Sequence, residues 1–201
     1  MPTLLATRNP GKLKEVKEIL GDHLGELVTL DTFPHIGELP EDFDTFIANA
    51  RQKAWTAAKL SGVPSISDDS GLIVDALGGA PGVYSAMYAG QHGDHTANRR
   101  KLLEELKAIP PEKRTARFTT VLVLADPRDN TEICAQGFCE GTITFEERGT
   151  GGFGYDPLFF VPQFQQTMAE ISAAQKNQVS HRGNAMRELL EKVLAIHWKA
   201  L

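Results

Sequence analysis

The feature that most constrains this chain is the apolar run from Ala116 to Ala125. Phe118, Val121, Leu122, Val123 and Leu124 make it almost continuously hydrophobic, the strongest strand signal in the sequence. Asp126-Pro127-Arg128-Asp129-Asn130 reads as a turn, and Thr131 to Cys139 pairs back as a hairpin. Gly141 to Arg148 alternates as another strand. Three consecutive strands after helix-rich segments predict an α/β protein whose mixed sheet has one antiparallel part.

The totals suit that expectation. With 201 residues, 41% hydrophobic and 23% charged, the chain has material for one good-sized domain or two closely packed lobes. A formal net charge of -5 without a run of like charges argues against a general nucleic-acid binder. No stretch is long enough to span a bilayer, and Met1 to Leu5 is too short and uncharged for a signal peptide. Cys134 and Cys139 would face opposite sides of one strand, which argues against a disulfide and for a reducing cytosol.

Upstream, Thr3 to Thr7 reads as a short buried strand and leads into Arg8-Asn9-Pro10-Gly11-Lys12. An amphipathic helix follows, with Leu13, Val16 and Leu20 on one face. Asn9 suits the N-cap and Pro10 the first helical position. Free amides at the helix start, flanked by Arg8 and Lys12, describe an anion site; two solvated cations beside a capped helix fit the same residues. The P-loop spacing is absent, because Leu13 follows Lys12.

A strand is expected near Leu27 to Leu30, an acidic loop with Glu41 from Phe33 to Asp44, and a helix from Thr45 to Leu60. Lys53 falls beside the narrow apolar stripe of that helix, where a lysine ordinarily snorkels to solvent. Next comes Ser67-Asp68-Asp69-Ser70-Gly71, in which adjacent carboxylates on extended backbone would face opposite ways. Ser70-Gly71 then offers a tight turn, and the whole segment is also an ordinary turn composition. Farther on, Gly149 to Pro157 places Phe153 and Tyr155 among four glycines, with Asp156 behind them. These aromatics can stack a nucleobase or merely tether the loop to the core. Lys176, His181 and Arg182 precede a final helix that buries Met186, Leu189, Leu190, Val193 and Ile196, so the three cations gather at a helix start.

Four of these stretches occur together and in order: Ala6 to Lys12, Ser67 to Leu72, Gly151 to Pro157, and Lys176-Asn177 through Ser180-His181-Arg182. Together they closely resemble the inosine/xanthosine triphosphate pyrophosphatase family. The resemblance implies one catalytic domain over residues 1–201, with an elongated mixed sheet flanked by helices and two lobes around a central substrate cleft. It also implies a homodimer and Mg²⁺-dependent cleavage of ITP, dITP and XTP to the monophosphate and pyrophosphate, a house-cleaning activity; charge, hydropathy and the cysteines add the expectation of a cytoplasmic protein with no nucleic-acid or membrane partner. By the same resemblance Asp69 is the catalytic base and a metal-linked residue, and Glu41 a second metal ligand. Thr7, Arg8, Asn9, Pro10, Gly11, Lys12 and Ser70 would bind the nucleotide, and Lys53, on the reading that it reaches from its helix into a cleft toward phosphate, would join them. Phe153, Gly154, Tyr155, Asp156, Lys176, His181 and Arg182 would hold the base and nearby phosphate. Three positions depart from the family's pattern: Phe43 and Ala48 stand near Glu41 where a glycine and an acid are usual, and Met87 stands where arginine is usual.

Overall fold

The computed structural model describes residues 1–198, with the side chains of Pro10, Gly11 and Asp22 outside that description. Eight strands form one mixed sheet in the order β2-β1-β3-β5-β6-β7-β8, with β4 pairing on β3. The strands are β1 (Thr3–Leu5), β2 (Leu27–Thr29), β3 (Ser65–Val74), β4 (Pro81–Gly82), β5 (Thr115–Asp126), β6 (Thr131–Ile143), β7 (Phe159–Val161) and β8 (Gln166–Thr167). The helices are α1 (Pro10–Leu20), α2 (Phe46–Ser61), α3 (His95–Glu105), α4 (Ala173–Val179) and α5 (His181–Ala195). The chain divides into two compact units, and it passes between them inside β3, β5 and β6 and again at Arg182.

The first unit holds residues 1–69, 120–137 and those from Arg182 onward. Here β1 lies parallel to both β2 and β3, with Leu4 opposite Val28 and Ser65. Side chains alternate along β5, and the two sets pack on different helices. Leu122 and Leu124 join Val16 and Leu20 of α1 and Ala185, Met186, Leu189 and Val193 of α5. Val121, Val123 and Ala125 meet Ala50, Ala54 and Ala58 of α2. The apolar run of β5 is therefore continuous because both of its faces are covered. Thr45 caps α2 by accepting from Ala48 N, and Gly62 ends it in the left-handed region at φ +73°.

The second unit holds residues 70–119 and 138–181. Leu72, Val74, Leu102, Phe118, Ile143, Tyr155, Leu158 and Phe159 are among the side chains of its core. Asp94 caps α3 through Ala97 N at 2.9 Å. Arg114, almost wholly buried, donates to the carbonyls of Leu106, Ile143 and Thr144 at 2.8 Å each, satisfying the backbone where α3 and β6 end.

Several expectations need correction. Ser67 to Gly71 is not a turn but the middle of β3, where ladder pairing and burial on both sides override turn composition. Gly141 to Arg148 is not a separate strand: β6 ends at Ile143, and Thr144 Oγ1 donates to Glu146 O at 2.8 Å to curl the chain away. Gly141 lies within β6, and a Cβ there would stand 2.4 Å from Phe160 O, so the close approach of β7 requires glycine. Lys176 is not at the start of the last helix. It lies in the last turn of α4, a short helix with a Ser172–Gln175 capping box. Ile196 is exposed, since α5 ends at Ala195 before a further buried turn can form.

Candidate active site

Because Asp68 and Asp69 are consecutive on β3, their carboxylates leave the strand toward different helices. Lys12, in the first turn of α1, places Nζ between the two oxygens of Asp68, at 2.7 and 2.9 Å. Asn9 caps that turn by accepting from Lys12 N, and Thr7 Oγ1 accepts from Asn9 N at 3.1 Å, so the Thr7–Lys12 stretch is locally braced. Burial alone would push the Asp68 carboxyl up. The positive charges of Lys12, Arg182 and Lys53 reverse that and hold it well below the usual carboxylate range. Asp68 is therefore a fixed anion at neutral pH.

Asp69 has the other environment. Its Oδ2 accepts from Asn49 Nδ2 at 3.2 Å, and its Oδ1 lies 3.9 Å from Lys53 Nζ. Burial pushes its carboxyl up to about 6; the Lys53 charge and the Asn49 hydrogen bond oppose this, while the Glu41 and Asp68 charges add to it. Lys53 does not snorkel. It is 9% exposed, because the alanine face of α2 sits close to the sheet and turns its ammonium toward two acids, Glu41 and Asp69. Two carboxylates that differ this much in proton affinity can take different roles, one as permanent charge and one as a base near neutrality.

The remaining first-unit candidates are placed as follows. Arg8 Nη2 donates to Ile36 O at 2.7 Å, and its Nε lies 3.8 Å from Asp31, which ties the N-terminal turn to the acidic loop. Arg182 Nη1 donates to Glu15 Oε2 at 2.7 Å and contributes charge at Asp68, so it belongs with Lys12. Pro10 and Gly11 open α1, and their contacts as nucleotide-binding candidates lie outside the described residues.

In the second unit Phe153 is 59% exposed, with Lys176 Nζ 5.4 Å from its ring centroid and the His95 ring 6.5 Å away. Asp156 is buried, and its Oδ2 accepts from Lys176 Nζ at 2.6 Å and from Phe153 N at 3.0 Å. Gly152 has φ +72°, and a Cβ there would stand 2.0 Å from the same Oδ2, so glycine alone admits this tight closure. Arg99 braces the loop by donating to Gly154 O at 2.9 Å and Glu147 Oε1 at 2.8 Å. Tyr155 is a tether and not a stacking platform: it is 4% exposed and donates its hydroxyl to Ser85 O at 3.0 Å. His181 stacks on Phe118 with centroids 4.9 Å apart, and Ser70 is half-buried on β3.

Three contributors were not legible as site residues: Asn49, Glu15 and Arg99. Their roles depend on partners 20, 167 and 55 positions away, and no local spacing signals such pairs. For a divalent cation, Glu41 and Asp69 offer oxygen donors that already converge on one ammonium. Among the described residues no group of three or more His, Cys, Asp or Glu could hold a metal. Two carboxylates fit Mg²⁺, which keeps several waters and shares phosphate oxygens.

A mixed α/β sheet bearing paired carboxylates, each set against a lysine at its own helix, defines a carboxylate–lysine centre of the kind that handles phosphate chemistry. The Ham1 family model matches residues 3–192, and the chain belongs to the Ham1 family. It is 52% identical over 192 residues to the dITP/XTP pyrophosphatase of Listeria monocytogenes, covering 96% of this chain and 94% of that one. To the enzyme of the same name from Desulforamulus reducens it is 49% identical over 191 residues, covering 95% and 94%. The Staphylococcus aureus Ham1 protein superposes with a TM-score of 0.90 at 37% identity, over 98% of this chain and 100% of that one.

Proposed function

We propose that this protein is a nucleoside triphosphate pyrophosphatase that hydrolyses deaminated purine nucleotides (ITP, dITP and XTP) to the monophosphate and pyrophosphate. The observation that carries this reading is the divergence of Asp68 and Asp69: one is held ionised against Lys12, while the other is raised to about 6 beside Lys53 and Glu41. The names of its close relatives support the substrate class.

Asp69 would take a proton from water as the water oxygen bonds to the α-phosphorus; the bond from that phosphorus to the bridging oxygen breaks, and pyrophosphate departs. Lys12 and Lys53 would hold the departing phosphates, and the braced turn from Thr7 would orient them. Mg²⁺ on Glu41 and Asp69 would supply neutralisation of the phosphate oxygens. The exposed ring of Phe153 would stack the base. Arg182 and a backbone amide would donate to the 6-oxo group, donors that a 6-amino group leaves unpaired at about 1–3 kcal/mol each.

We place the enzyme in the cytoplasm as a homodimer. Among the described residues no helix is long and apolar enough to cross a membrane. Pyrophosphate release from ITP, XTP, GTP and ATP, with Mg²⁺ and with EDTA, tests the reading. ITP and XTP should exceed ATP in kcat/KM by about 10²-fold or more. Equal values for ITP and ATP, or full turnover in EDTA, would overturn it. Sedimentation tests the dimer.

A further inference from the structure

Asn49 joins parts of the first unit that no sequence motif connects. It lies one turn into α2, is 4% exposed, and its backbone N–H donates to Thr45 O at 3.1 Å. Its side-chain amide is fully committed. Oδ1 accepts from Phe43 N at 2.9 Å, while Nδ2 donates to Phe43 O at 3.1 Å and to Asp69 Oδ2 at 3.2 Å.

The two bonds to Phe43 dictate which end of the amide is which, because a flipped amide would set oxygen against oxygen and N–H against N–H. The donor aimed at Asp69 is therefore fixed by the acidic loop. Phe43 stands two residues from Glu41, whose carboxylate meets Lys53, and Lys53 Nζ is 3.9 Å from the other oxygen of Asp69. A single buried amide thus sets both the rotation of Asp69 and the position of the loop that carries Glu41.

We propose that Asn49 is a positioning residue, holding Asp69 and the Glu41 loop in the register in which both carboxylates can serve one divalent cation and one attacking water. This rests on the pyrophosphatase reading. Residues that orient ligating carboxylates without touching the metal commonly change affinity or activity by about 10- to 100-fold. Asn49→Ala should lower kcat for ITP by about 10- to 100-fold, with KM changed less than about threefold. In an Asp69→Ala background, which removes the side chain that Asn49 Nδ2 holds, the same substitution should change kcat by a clearly smaller factor than in the wild type, through the Glu41 loop alone.

Mn²⁺ titration of the substrate-free protein by electron paramagnetic resonance reads the position of the carboxylates without turnover. The dissociation constant should rise about tenfold in Asn49→Ala. Asn49→Ser, which leaves room for a bridging water, is the second variant if Asn49→Ala does not fold. An equal kcat loss in both backgrounds together with unchanged Mn²⁺ binding overturns the positioning role while leaving the pyrophosphatase reading intact. A wild-type protein that releases no pyrophosphate from ITP, but whose Mn²⁺ binding weakens in Asn49→Ala, defeats the reaction and keeps the positioning role.

Discussion

Replacing Asp69 by asparagine removes a charge that burial in this fold opposes. The Asp69 carboxyl stands at about 6 against an ordinary 3.8, because burial outweighs the help of Lys53 and Asn49. A carboxyl whose folded pKa exceeds its unfolded value holds its proton more tightly in the folded state. The stability it contributes is thus complete below about pH 3.8 and is lost as pH rises through about 6. A separation of roughly two pH units, at about 1.4 kcal/mol each, puts the penalty for ionised Asp69 near 3 kcal/mol at pH 7.5. With the side chain only 12% exposed, solvent screening removes little of this. Asparagine stands in for the protonated acid, since its Oδ1 still accepts from Asn49 and it carries no charge. Asp69→Asn should therefore be more stable than the wild type by about 2–3 kcal/mol at pH 7.5, a gap that closes toward zero at pH 4. Urea unfolding followed by circular dichroism, in EDTA so that no cation neutralises the site, measures this directly. Turnover should fall by about 10² to 10⁴ at the same time. A variant less stable than wild type at pH 7.5, or a gap that does not change with pH, would refute the reasoning.

Further outcomes follow from the same geometry. The kcat/KM for ITP should fall toward acid pH as Asp69 gains its proton, with the midpoint at about 6 for a cation-free enzyme and lower where a bound cation neutralises the carboxylate, and a rate flat from pH 4 to 8 would exclude Asp69 as the base. Phe153→Ala should leave stability within about 0.5 kcal/mol, because the ring is exposed, while raising KM for ITP about tenfold or more through lost stacking; unchanged KM would remove the ring from base binding. Tyr155→Phe should do the reverse, costing about 1 kcal/mol in thermal unfolding through loss of its buried hydrogen bond to Ser85 O, which keeps only the longer bond from Asn98 Nδ2, with KM nearly unchanged.

Local signals carried much of the fold. The apolar run of β5, the caps at Asn9 and Thr45, and Gly62 after α2 act within a few residues of themselves, so periodicity and capping chemistry place those elements. The errors fall where a partner outside the segment decides. Ser67 to Gly71 has turn composition, yet its place inside β3, an interior strand of the sheet between β1 and β5, makes it strand, and that changes its chemistry: the strand alternation, not a loop, sends Asp68 and Asp69 to different lysines. Lys53 looked like a solvated lysine because its two acids are 12 and 16 positions away. Tyr155 and Phe153 share one glycine-rich loop two positions apart, and the core around Ser85 separates tether from exposed ring. Asn49 carried no local signal at all, because its three side-chain hydrogen bonds exist only after the acidic loop and β3 meet α2.

The central claim is attack of water on the α-phosphorus of a deaminated purine triphosphate, with Asp69 taking the proton. Hydrolysis of ITP in ¹⁸O-enriched water, with the products weighed by mass spectrometry, tests it most directly. One ¹⁸O in the monophosphate and none in the pyrophosphate is the expected result, with turnover depressed in Asp69→Asn. Label in the pyrophosphate, or diphosphate and orthophosphate as the products, would contradict it.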